Sequence, residues 1–157
     1  MRARVLLLVC LAASCIDPVH SDAVDALGPE ANGERPGPRH RAGQPCFTCH
    51  GGSGPGPDFA VAGTVYAVRG GSDPLPGAVV AITDAAGSTQ RLVTNEVGNF
   101  YLRASLWTPA FPLHVQLEYG DAKKEMTTRI GRDGGCASCH IGAGSAKSMP
   151  AVFMRDQ

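Results

Sequence analysis

Apolar and polar residues alternate in short runs between residues 59 and 130, with turn residues separating the runs. That pattern predicts an antiparallel β-sheet stacked on a second sheet. The first strand spans residues 61–68. After a turn from Gly70 to Gly77 comes a second, in which Ala78, Val80 and Ile82 face inward. Residues 92–94 and 100–102 flank Asn95-Glu96-Val97-Gly98, where Gly98 can supply a positive φ, and this segment reads as a hairpin. Leu113, Val115, Leu117 and Tyr119 alternate with His114, Gln116 and Glu118 as a half-buried fifth strand, and residues 125–130 form a weaker sixth.

On either side of this core the periodicity stops. Residues 15–45 show none, and Gly and Pro take 8 of the 18 positions from 28 to 45. Such a stretch cannot bury enough surface to offset its ordering entropy, so it reads as a flexible tether. Residues 46–58 lead into the sandwich at 59–130, and residues 131–157 return to Gly and Ser with one apolar cluster near the end.

The N-terminus sets the compartment. Arg2 and Arg4 precede an apolar run from Val5 to Ala13 and then small residues, the pattern of an export signal over residues 1–14. The run is too short for a bilayer span, which takes about 20 residues. Leu11-Ala12-Ala13-Ser14-Cys15 resembles the lipobox of bacterial lipoproteins, which implies lipidation of Cys15 and attachment to a membrane through that lipid. Ala12-x-Ser14 also suits an ordinary signal peptidase, which would leave Cys15 unmodified. Ile16 in place of Asp after the cysteine resembles lipoproteins sent on to an outer membrane. The expected location is therefore the periplasm or the outer membrane.

Composition narrows the class. With 157 residues, 43% hydrophobic and 6% aromatic, the chain can build one modest core. Twenty Gly and 12 Pro make a helical bundle a poor fit. Basic and acidic residues balance at 14 each, and removal of Arg2 and Arg4 with the signal leaves 12 basic against 14 acidic side chains. No broad basic field exists to hold nucleic acid.

Three segments together, Val61-Ala62-Gly63-Thr64-Val65, Leu75-Pro76-Gly77-Ala78-Val79-Val80 and Thr94-Asn95-Glu96-Val97-Gly98-Asn99-Phe100, resemble the carboxypeptidase regulatory-like domain, a transthyretin-like β-sandwich. The resemblance spans roughly residues 60 to 119 and implies a scaffold with no catalytic residue of its own.

The chemistry lies outside the sandwich. Cys46-Phe47-Thr48-Cys49-His50 precedes the first strand and Cys136-Ala137-Ser138-Cys139-His140 follows the last. Both resemble the haem-attachment motif of c-type cytochromes. Two thiols three positions apart can reach the two vinyl groups of one haem, and the adjacent imidazole falls beneath the iron as proximal ligand. Histidine fills 5 of 157 positions, and two Cys-x-x-Cys pairs each followed by His would arise by chance about once in a thousand. The fold class expected overall is mostly β, a small antiparallel sandwich flanked by haem-binding loops. Two covalent haems c are implied, held by Cys46, Cys49, Cys136 and Cys139, with His50 and His140 on the irons. Two other readings of the cysteines stay open, a four-cysteine zinc site and a pair of redox disulfides.

For the distal positions the sequence offers several candidates. Met149-Pro150-Ala151-Val152-Phe153 resembles the Met-Pro segment carrying the distal methionine of class I cytochromes c, although Met149 is only nine positions from His140. It could equally cover haem or sandwich surface, together with Phe153 and Met154. His40, ten positions before His50, could fold back onto the first haem or stand solvated in a basic linker. His114 could approach either haem across the sheet surface, Met126 lies on the weak sixth strand, and His20 sits deep in the tether. Six alternating strands would return the chain to the end where it started, making the two motifs neighbours. The leading function is a dihaem c-type cytochrome passing single electrons between redox partner proteins at the bacterial envelope. Against it stand a small haem peroxidase, which needs an open coordination position, and a structural or adhesion lipoprotein whose cysteines bind zinc or oxidise.

Overall fold

Seven strands and two short helices form in the computed structural model, which describes residues 17–30, 35–52, 54, 56–141 and 149–156. The expected signal and Cys15 lie outside the described residues. One sheet has the order β4-β1-β7 and the other β3-β2-β5-β6, with β1 Phe59–Val68, β2 Val79–Thr83, β3 Thr89–Val93, β4 Asn99–Arg103, β5 His114–Tyr119, β6 Ala122–Glu125 and β7 Val152–Arg155. The molecule is a small, mostly antiparallel β-sandwich.

The two central strands explain the core. β1 is buried without a break from Ala60 to Val65, and β2 buries Val80, Ala81 and Ile82. Val61, Val65, Ile82 and Leu113 are fully enclosed, packed with Leu75, Ala78, Phe100, Trp107, Leu117 and Met154 between the sheets. Each large side chain so enclosed contributes about 1.5–3 kcal/mol relative to exposure. Ala78, Val80 and Ile82 face inward as their alternation predicts.

Three elements depart from the sequence reading. Residues 92–102 do not make a hairpin: β3 pairs with β2 and β4 with β1, so the chain crosses from one sheet to the other. Asn95 directs the crossing, its Oδ1 accepting from the amides of Val97 and Asn99. At Gly98, φ is +77° and the Val65 carbonyl oxygen would lie 2.3 Å from an added Cβ, so only glycine fits. The sixth strand falls earlier than expected, at Ala122–Glu125, through a tight turn at Gly120-Asp121. Its polar sequence leaves no alternation to read; of residues 126–130, Met126 donates its amide to the Val115 carbonyl and Ile130 makes an isolated bridge to Leu113. β7 was read as tail; it adds parallel to β1, with Val65 opposite Val152 and Val68 opposite Arg155.

The segment read as tether is also partly built. Asp17 caps a helix, α1 (Pro18–Asp25), by accepting from the amides of Val19 and His20, with Pro18 in the first turn. Residues 37–44 are clamped to the sandwich by side chains. Asn99 Nδ2 donates to the carbonyls of Pro38 and His40 at 3.3 and 3.1 Å, and Asn95 Nδ2 donates to Pro38 at 2.6 Å. The Gly43 amide donates to Thr64 Oγ1, which itself donates to Asn99 Oδ1 at 2.6 Å. Composition concealed this because the anchoring groups lie 21 or more residues away in strands and turns. No helix among the described residues is long and apolar enough to cross a membrane.

Asn99 is buried and uses both ends of its amide. Asn99→Ala should lower the unfolding free energy by about 1–3 kcal/mol, since it strands buried partners. It should also speed amide exchange at Gly43 and its neighbours. Urea denaturation and hydrogen exchange check this, and unchanged exchange at 37–44 would show that the loop is held by something else.

Candidate functional site

The first motif forms a single turn, α2 (Phe47–His50), started by Cys46, with the His50 amide donating to the Cys46 carbonyl at 3.0 Å. One helical turn sets positions i, i+3 and i+4 on a common face, which gathers Cys46, Cys49 and His50. His50 is buried, and its Nδ1 lies 2.8 Å from the Pro57 carbonyl oxygen. A carbonyl can only accept, so Nδ1 carries the proton and Nε2 keeps its lone pair. The imidazole stacks on Phe59, centroids 4.1 Å apart, and Phe59 stacks on Tyr101 at 4.8 Å. An added Cβ at Gly56 would meet the His50 ring at 2.3 Å, so backbone packs against the ring where no side chain fits.

Beside this turn opens a cavity of about 520 Å³ whose walls include Cys46, Cys49, His50, His40, Phe59 and Tyr101. His40 reaches it because residues 37–44 are clamped. Its ring centroid lies 5.9 Å from that of His50, with 52° between the ring planes. His40 Nδ1 is anchored on Gly37, meeting its carbonyl and accepting from its amide at 3.2 Å, and Nε2 makes no hydrogen bond among the described residues. Arg41, next to it, holds a φ of 53°, rare for a residue with a side chain, and donates to the Gly28 carbonyl and Gln44 Oε1.

The second motif is built on a 3-10 turn, Cys136–Ser138, held by Asp133, which accepts from the Gly135 amide and the Ser138 hydroxyl, both at 2.7 Å. The His140 amide donates to Cys136, and His140 Nδ1 donates to the Pro150 carbonyl at 2.7 Å. The two histidines thus share one arrangement, a protonated Nδ1 on a proline carbonyl. Met149 does not sit opposite His140. Its backbone pairs with residues 139–141 in a parallel bridge, which places the two side chains next to each other on one face, about one strand spacing apart. Met149 therefore stands beside His140 and is 45% exposed. Met154 instead enters the core.

The two motifs are neighbours. Residues 134–135 run along β1 opposite Ala62, and an added Cβ on Gly135 would lie 3.1 Å from the Phe47 ring. Cys136 packs against Gly63 and the core. Burial first, then the nearby Cys46 and Asp133, pushes its thiol up to about 12. Burial also raises the Cys46 thiol. All four motif cysteines are free of disulfides. Among the described residues, no three His, Cys, Asp or Glu side chains converge as a metal-ion site.

Other candidates are not gathered in. His114 belongs to the other sheet and its Nε2 is taken up by the Glu125 carboxylate at 2.5 Å. Met126 lines the shallow groove beside that pair. His20 lies on α1, which packs against α2, with its Nε2 buried and lacking a hydrogen-bond partner. Sequence reasoning missed Pro57, Pro150, Gly56, Phe59 and Tyr101; a proline some positions after each motif histidine is a signal only once the fold shows what its carbonyl does.

In folded protein with its motif thiols free, near pH 8, iodoacetamide should modify exposed Cys139 at least tenfold faster than Cys136, because a thiol with a raised pKa carries little thiolate. The Cys136 rate should climb about tenfold per pH unit. Peptide mass spectrometry reads this out, and equal rates would contradict the burial of Cys136. Compared with known protein families, with curated proteins and with solved structures, the chain finds no match.

Proposed function

We propose that this protein is an exported dihaem c-type cytochrome that passes single electrons between redox partners at the bacterial envelope, tethered through lipid on Cys15. The observation that carries the reading is the repeated treatment of the motif histidines. Each donates from Nδ1 to a proline carbonyl, Pro57 or Pro150, at 2.8 or 2.7 Å. Metal-bound imidazoles are commonly fixed in this way, with the second nitrogen anchored and the first made more basic. Neither zinc held by four thiols nor a disulfide pair would call for it.

The residues present fit the group. Cys46 and Cys49 line a cavity of a size that takes a large flat ligand, and His50 meets it with an oriented ring. Bound haem would supply a one-electron couple tuned by its axial ligands and exposure. The chain's own part is to fix the imidazole tautomers, to wall one site with Phe59 and Tyr101, and to hold both motifs side by side on β1, close enough for electrons to pass between them.

The test is expression of the full chain in a bacterial host with cytochrome maturation machinery, followed by a pyridine haemochrome spectrum and intact mass. The expected mass carries two haems and a diacylglyceryl-type increment at Cys15. Cys46→Ala/Cys49→Ala and Cys136→Ala/Cys139→Ala should each retain one haem. Colourless protein with free, oxidised or zinc-bound thiols would overturn the proposal.

A further inference from the structure

We infer that His40 is the second axial ligand of the haem held by the first motif, a step that rests on the reading above. Its ring is 5.9 Å from that of His50, centroid to centroid, across the cavity that Cys46 and Cys49 line. A metal held between two imidazoles, with metal–nitrogen bonds of about 2 Å, sets the ring centroids about 6 Å apart. The 52° between the planes is compatible with this, because each ring can turn about its own bond to the metal.

The hydrogen bonding agrees. His50 gives its Nδ1 proton to the Pro57 carbonyl, and His40 Nδ1 meets both the carbonyl and the amide of Gly37, so each ring is anchored through Nδ1. Neither Nε2 makes a hydrogen bond among the described residues, which leaves both available to a metal. A solvated histidine in a mobile linker would not be positioned like this. The His40 carbonyl is held by Asn99 and the following turn by Thr64, while Arg41 is kept at a positive φ by its contacts to Gly28 and Gln44. Backbone held in a sparsely populated region is a feature that collects at functional sites.

At the second motif the residue beside His140 is Met149, which lies next to it instead of facing it. The two haems are therefore inequivalent, and only the first has a histidine positioned opposite its own.

The experiment uses the full chain carrying Cys136→Ala/Cys139→Ala, leaving one haem at the first motif. Ferric absorption and electron paramagnetic resonance should show a six-coordinate low-spin haem, and the ferrous form should not take up carbon monoxide. Adding His40→Ala should convert it to high spin with carbon monoxide uptake, and external imidazole should restore the low-spin spectrum. His40→Met should stay low spin with a raised reduction potential, as expected when a thioether replaces an imidazole. A low-spin spectrum unchanged by His40→Ala would overturn the assignment, as would conversion by His20→Ala alone, which would give the role to the histidine on α1. Loss of haem from the parent single-site chain would instead count against the cytochrome reading itself.

Discussion

One strand organises the molecule. β1 is buried on both faces over Ala60 to Val65, and both its edges are used. Along one runs β4; along the other run first residues 134–135 and then β7. The first motif feeds directly into the start of this strand through Phe59, and the second lies against its middle at Ala62 and Gly63. Both motifs are thus placed against one buried strand, and they also approach each other directly where Gly135 meets the Phe47 ring.

A small sandwich gains a rigid edge from this arrangement without enlarging its core. Residues 134–135 use backbone groups only, since Gly134 stands so close to Ala60 that an added Cβ would lie 2.0 Å from its carbonyl oxygen. Close backbone approach lets the Cys136 turn press onto Gly63, the one β1 position in the buried stretch without a side chain. The glycines that made residues 131–157 read as loop are thus the residues that let the second motif dock.

β2 and β5 were legible because inward alternation writes itself as period two, and β1 because its short apolar run is bounded by turn residues. What was not legible depended on long-range pairing. The crossing at Asn95 to Gly98 has the turn residues of a hairpin, and only the partner strands tell the two apart. β7 is short, parallel and distant in sequence from β1, so no local pattern marks it. Of the site, the cysteines and histidines were evident from spacing alone, whereas the carbonyls of Pro57 and Pro150 are backbone atoms that any residue could supply. The anchoring of His40 was hidden for the same reason: Asn99 and Thr64 hold it through main-chain groups of a segment whose composition speaks for disorder.

The partial burial of Cys136 bears on when its thiol can react. In the folded chain it packs against core side chains, and burial pushes its thiol up to about 12. A thiol so placed is a poor nucleophile near neutral pH, because the reactive form is the thiolate. In the unfolded chain that restriction is gone. Chemistry at this thiol is therefore favoured before residues 134–135 settle on β1. The first motif faces no such ordering to the same degree, since Cys46 and Cys49 already border a cavity. The two motifs differ, then, not only in what stands beside their histidines but in how strongly the fold shields a cysteine.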